Sequence, residues 1–275
     1  MTQTRGAKPL RPPLSFALSM NPDGDPFARW LAALQARHLK DLTFPEVRRG
    51  LQALSSLYVE RRGRIASGAA LDGAGKRAAF ALYLGPLHFL TVREVVRALR
   101  AAEPAPARIA DLGCGTGAAG AAWALEARPH PYVEAVDKSG WAAEEAQRTL
   151  RTLGLRGRAQ AGDLDRAPLP SGRGAAVVAA FTANELDEPA RGRLLARLLE
   201  AARSGARVLV VEPIAKRAAP WWTGWAAAFT GAGGRADEWR FPAALPEALA
   251  TLDRGAGLHH RELLARSLWM GPGAR

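Results

Sequence analysis

A single cysteine, Cys114, among 275 residues removes any intramolecular disulfide framework and every zinc or iron–sulfur centre built from several thiolates. Acid is the minority charge. With 38 Lys+Arg against 26 Asp+Glu the formal charge is +12, so the surface draws polyanions or anionic lipid rather than basic partners. Uninterrupted apolar runs are short: none approaches the roughly 18 to 20 residues of a membrane span, and the run 175–183 has the length of a buried strand. His259 and His260 have no third ligand at metal spacing, so no metal is expected. What is present, 48% hydrophobic and 23% charged positions, is enough for one large domain, or one with a smaller unit appended. The expectation is a soluble, cytoplasmic chain with nucleic acid as the first partner to consider.

The positive charge is concentrated early. Residues 1–105 hold 16 Lys+Arg and 8 Asp+Glu, against 22 and 18 in residues 106–275. The first 22 residues carry Arg5, Lys8 and Arg11 and no acid, but Pro9, Pro12 and Pro13 spoil an amphipathic helix, so 1–24 reads as a loose basic tail. Helical spacing follows, in Phe27, Trp30, Leu31 and Leu34 and again, after Pro45, in Val47, Leu51, Leu54 and Tyr58. A third segment, 78–99, is expected to break near Gly85 and Pro86 and restart at Thr91, with Glu94 completing a capping box. Residues 25–105 thus read as a helical N-terminal unit. Its Arg48, Arg49, Arg61, Arg62 and Arg64 form a cationic set that could pair with phosphates or simply face solvent.

From Arg108 onward strand-length apolar runs alternate with helical stretches. Strands are predicted over 109–112, 132–136, 158–161, 175–181 and 207–211, and helices up to 127 and over 141–153 and 189–202. Strand and helix taking turns predict an α/β fold, a parallel Rossmann-like sheet covered on both faces, over 106–275. The tail is expected to add helices at 221–229 and 246–253 and closing strand material between His259 and Trp269.

The segment Asp111-Leu112-Gly113-Cys114-Gly115-Thr116-Gly117 falls where the first strand ends and a helix begins. Alternating glycines let the backbone turn tightly and bring main-chain N–H groups against a ligand. Asp137, followed by Lys138, ends the next strand about 20 residues on, where a ribose hydroxyl pair would be held. The D-L-G-C-G-T-G form resembles the first motif of class I S-adenosylmethionine-dependent methyltransferases. That resemblance implies S-adenosylmethionine as cofactor, with Asp111, Gly113, Cys114, Gly115, Gly117, Asp137 and Lys138 around it and Asp163 and Leu164 beside its adenine.

In such a sheet the acceptor faces the residues after the fourth and fifth strands: Thr182, Asn184, Glu185, Glu212 and Pro213. Asn184 and Glu185 are the catalytic candidates; Glu185 could accept a proton or cap the helix that follows. Asn184-Glu185-Leu186, the run Val-Leu-Val-Val-Glu-Pro at 208–213 and the segment 84–94 are together similar to the ribosomal small-subunit methyltransferase-like family of bacteria and mitochondria. This likeness implies RNA or the assembling small ribosomal subunit as partner. The cysteines that family carries after the fifth strand are missing, and Trp221, Trp222 and Trp225 stand there instead, so no iron–sulfur cluster is expected. Two other readings stay open, a cofactor-binding assembly factor that transfers nothing and a methyltransferase for small molecules. His88 could either reach over the cofactor or pack in the core.

Overall fold

The computed structural model describes residues 24–60, 71–214 and 219–272. Helix α1 (Pro26–His38) starts where Asp25 accepts a hydrogen bond from the Phe27 N–H at 3.0 Å and Pro26 supplies a ready-made helical φ. Helix α2 (Phe44–Glu60) buries Val47, Leu51 and Leu54, as their spacing predicts. Arg48 and Arg49 are exposed on α2, whereas Arg61, Arg62 and Arg64 lie outside the described residues, as does the basic tail before residue 24.

The expected break at Gly85 and Pro86 does not occur. Helix α3 (Ala74–Ala79), a π-helical turn (Phe80–Leu84) and helix α4 (Gly85–Ala98) run on continuously. A proline inside an α-helix clashes with the carbonyl four residues back; the wider turn, in which Gly85 N–H bonds the Phe80 carbonyl, absorbs that conflict. Thr91 is consequently no cap. It is buried within α4, and its hydroxyl donates to the Leu87 carbonyl at 2.8 Å. The merged run Ala74–Ala98 spans 25 residues and by length and composition could cross a membrane, which the scarcity of uninterrupted apolar runs concealed; 67% of its most apolar window is buried, as in a core helix.

Five parallel strands form the body of the sheet: β1 (Arg108–Leu112), β2 (Tyr132–Asp137), β3 (Gly157–Ala161), β4 (Ala175–Ala180) and β5 (Arg207–Glu212). Helices α5 (Ala118–Glu126), α6 (Gly140–Thr152) and α7 (Glu188–Arg203) connect them, and α8 (Trp222–Gly231) and α9 (Glu247–Ala256) follow in the tail. The seven-stranded order is β3-β2-β1-β4-β5-β7-β6, with β7 (Glu262–Met270) antiparallel to β5 and β6 (Arg235–Pro242) antiparallel to β7. This is the Rossmann-like class I methyltransferase sheet, but mixed rather than wholly parallel. The sequence reading misses β6 because it is an edge strand that alternates half-buried and exposed residues and carries Arg235, Asp237, Glu238 and Arg240, the charge that keeps a sheet edge from pairing further.

The N-terminal helices share a core with one face of the sheet: Phe27, Trp30, Leu51 and Phe89 join Ile109, Val133 and Leu209 in one apolar cluster. Polar ties secure the docking of α1 on α6. Trp30 Nε1 donates to the Thr149 hydroxyl at 3.1 Å, and Arg37 and His38 both reach the buried Glu145. Burial alone would push the Glu145 carboxyl up, yet the bonds from His38 and Arg37 hold it below the usual range.

Candidate active site

The loop after β1 is forced into shape by steric exclusion. Gly113, Gly115 and Gly117 all lie at positive φ (64°, 52° and 76°), where an L side chain is strained. A Cβ on Gly113 would stand 2.4 Å from Thr182 Cγ2, and one on Gly115 3.3 Å from the Phe80 ring. Thr182, just past β4, ties the two strand tips together by donating to the carbonyls of Leu112 and Gly113 at 3.0 and 3.2 Å.

Asp137 ends β2 facing this loop. Its Oδ2 accepts from the Gly115 N–H at 2.9 Å and its Oδ1 from the Ser139 N–H at 2.8 Å, so the carboxylate is held rigid with lone pairs to spare. Behind the loop, Asp111 is buried and accepts from the Gly120 N–H at 2.8 Å, while its Oδ1 has no partner among the described residues. Burial pushes the Asp111 carboxyl up to about 7.

A cavity of about 1100 Å³ opens from this loop between the sheet tips and the N-terminal helices. Gly113, Cys114, Gly115, Asp137, Lys138, Leu164, Asn184 and Glu185 all line it, so most of the residues singled out in the sequence converge on one chamber. Three do not. Asp111 supports the loop from behind, Gly117 packs on Ala146 of α6, and Asp163 is exposed and turned toward the Asp165 N–H at 2.9 Å. Thr116 is 1% exposed, lines the chamber and has a hydroxyl with no partner among the described residues.

At the β4–β5 end, Glu212 is fully buried and accepts from the Ala183 N–H at 2.8 Å and from Asn184 Nδ2 at 2.6 Å. Burial pushes the Glu212 carboxyl up to about 8. Trp221 Nε1 donates to Asn184 Oδ1 at 3.1 Å, so both ends of that amide are fixed. The cap of α7 is Asp187, which accepts from the Ala190 N–H, and Glu185 instead stands in a 3₁₀ turn on the chamber wall. Trp225 is a core residue, whereas Trp221 and Trp222 are half-buried under the guanidinium groups of Arg191 and Arg266.

Sequence reasoning passed over several wall residues. Phe181, directly after β4, sits at φ 58°, rare for a bulky side chain, and its ring stacks on the His88 imidazole. Burial pushes His88 down to about 3, so the ring is neutral. Tyr83 meets Asp253 and His260, which lie only seven residues from each other, at the far wall; the sequence reading raised His260 only as a metal ligand, and no local motif joins the three. The π-helical turn that carries Phe80 and Tyr83 is a feature frequent at functional sites.

Residues 109–205 match the family model of a methyltransferase domain. The chain carries a class I S-adenosylmethionine-dependent methyltransferase domain. The methyltransferase is similar in fold to mitomycin 7-O-methyltransferase MmcR, at 16% identity over 89% of this chain and 72% of that one, with a TM-score of 0.51. It is also similar to a candidate O-methyltransferase from Nostoc punctiforme, at 14% identity over 80% of this chain and 72% of that one, with a TM-score of 0.50. Likeness at such identities is one of fold. A search of curated proteins finds no match to the chain. The S-adenosylmethionine of this methyltransferase has a fitting seat in the chamber: a loop where any Cβ would intrude, a fixed carboxylate at the neighbouring strand tip and an unpaired buried hydroxyl on Thr116.

Proposed function

We propose that the protein methylates a small molecule enclosed in the chamber. The observation that carries this is the roof. Leu51, Leu71, Phe80, Leu84 and Leu87 of the N-terminal segment, with Leu258 and Leu263 of β7 and the loop before it, wall the cavity over the strand tips, and its volume of about 1100 Å³ exceeds an ordinary single-ligand pocket, leaving room for cofactor and acceptor together. The backbone of residues 113–116, Asp137, Lys138 and Leu164 would hold the cofactor. When bound, S-adenosylmethionine supplies an electrophilic sulfonium methyl group. The chain's own part is to orient the acceptor and exclude water: Asn184 is locked by Glu212 and Trp221, and the Phe181–His88 stack forms an apolar wall beside it.

RNA is the second reading. It rests on the +12 charge, on the exposed Arg77, Lys138 and Arg240 among the chamber residues, and on the resemblance of the 84–94 and 184–186 segments to the ribosomal small-subunit family. Incubation of the purified protein with methyl-labelled cofactor and a cell extract, followed by separation of RNA from small molecules, decides between them. Label in the small-molecule fraction is expected; label confined to ribosomal RNA or to intact small subunits overturns the first reading. Binding of cofactor with label in no fraction identifies a non-catalytic assembly factor.

A further inference from the structure

The wall of the chamber opposite the glycine loop holds a hydrogen-bonded set whose members come from the π-helical turn, α9 and the segment before β7. Tyr83 donates its hydroxyl proton to Asp253 Oδ1. His260 Nδ1 lies 2.6 Å from the same carboxylate oxygen and 2.9 Å from the Tyr83 oxygen, and the His260 backbone N–H donates to Asp253 Oδ2 at 2.8 Å. Since the Tyr83 proton is directed at Asp253, and a carboxylate only accepts, Nδ1 must carry the ring proton. The basic lone pair is then on Nε2, which takes no hydrogen bond among the described residues. Tyr83 and Asp253 are almost fully buried, but the His260 side chain keeps 34% exposure and borders the chamber.

The same turn links this set to the cofactor loop. Phe80, whose ring lies 3.3 Å from where a Gly115 Cβ would be, is three residues from Tyr83 in the same π-helical turn. The charged neighbours on the adjoining strands, Arg240 of β6 and Glu262 of β7, are paired with each other at 3.2 Å. An oriented imidazole on a residue that borders the cavity, with no hydrogen bond to its second nitrogen among the described residues, suits a general base, the carboxylate fixing the tautomer and stabilising the imidazolium that forms.

We infer that His260, oriented by Asp253 and Tyr83, is the general base that deprotonates the acceptor, and that the acceptor is a phenolic hydroxyl on a small aromatic molecule. This rests on the small-molecule reading above. An imidazole is matched to a phenol, which ionises near pH 10, far better than to an alkyl alcohol, and the Phe80, Phe181 and His88 rings offer faces to an aromatic acceptor. The acceptor oxygen gives its proton to Nε2 and forms the O–CH₃ bond as the S–CH₃ bond of the sulfonium breaks, the bonding pair remaining on sulfur. A methyl ether and a neutral thioether nucleoside result, and the imidazolium returns its proton to water.

The probe is 4-nitrophenol, whose phenolate absorbs visible light, added to the full chain with S-adenosylhomocysteine; uptake is followed separately by equilibrium dialysis. The wild type is expected to raise the phenolate band at a pH where the free probe is mostly protonated. H260Q and D253N should take up the probe but lose that rise, and Y83F, which removes one of the two groups orienting the ring, should take it up and weaken the rise. Uptake with the same band in the wild type and H260Q overturns the base assignment and leaves the small-molecule reading standing; no saturable uptake overturns both. The imidazole ¹⁵N shifts of the unmodified protein give a check independent of whether the variants fold. A His260 ring protonated on Nδ1 alone is expected, and one protonated on Nε2 alone refutes the inference.

Discussion

The His88 imidazole lies flat on the Phe181 ring, with centroids 3.8 Å and planes 12° apart, and Phe181 holds that position with a left-handed backbone at φ 58°. The Phe181 N–H donates to the Val211 carbonyl of β5 at 2.8 Å, so the strained turn is anchored to β5, and the Phe181 ring lines the chamber.

Substitutions at Phe181 should separate backbone strain from packing. Phe181→Ala removes the ring and keeps the strain, at a cost of about 1–3 kcal/mol. Phe181→Gly removes both, and is expected to be more stable than the alanine variant by about 1 kcal/mol. Urea denaturation of the two variants measures the order, and an alanine variant as stable as the glycine one contradicts the strain.

Gly113→Ala should abolish cofactor binding in calorimetry, because its Cβ would stand 2.4 Å from Thr182 Cγ2 and 2.7 Å from Thr182 Oγ1. Adding Thr182→Ala removes both of those contacts and leaves a 3.1 Å approach to the residue-182 Cβ and about 1–2 kcal/mol of left-handed strain, so the double variant should recover part of the affinity. Equal loss in single and double variants would show that the collision with Thr182 is not what excludes a side chain.

Stability should fall as pH rises through the neutral range. Asp111 is raised from 3.8 to about 7 and Glu212 from 4.5 to about 8, so between about pH 4 and pH 8 the folded chain holds protons that the unfolded chain has released. Stability contributed by the neutral carboxyls is therefore fully present below about pH 4 and is lost as pH climbs through the folded values. Asp111→Asn keeps an oxygen for the Gly120 N–H and cannot ionise. Thermal melts from pH 5 to 9 should show a shallower decline for this variant, and a higher melting point than the wild type at pH 8.

Removing the anchor between α1 and α6 should loosen the roof. Glu145→Ala leaves Arg37 and His38 without their buried partner, at an expected cost of about 3 kcal/mol, and Trp30→Phe, which loses only the bond to Thr149, should cost about 1 kcal/mol. Chemical denaturation checks both values, and hydrogen exchange should show the α1 amides released first.

Most of the cofactor half of the molecule was legible in the sequence. Strand-length runs alternate with helical ones from residue 108 to 212, and the glycine loop and Asp137 are read from spacing alone because both belong to one short βαβ unit. Two misreadings have definite causes. Pro86 signalled a break that the π-helical turn avoids, and the charged residues of β6 hid an edge strand.

The amino-acid order by itself determined the local elements and the cofactor loop, since glycine's missing Cβ, cap residues and apolar periodicity act over a few residues. Only the tertiary structure decided the far wall. Glu212 and Asn184, both expected on the acceptor side from the sequence, meet because β4 and β5 are parallel neighbours, whereas Tyr83 and His260, 177 positions apart, meet because β7 returns antiparallel beside β5 while the N-terminal helices fold back over the strand tips. The second meeting depends on how whole elements pack, and packing is set by the summed burial of many side chains rather than by any motif that Tyr83 or His260 carries.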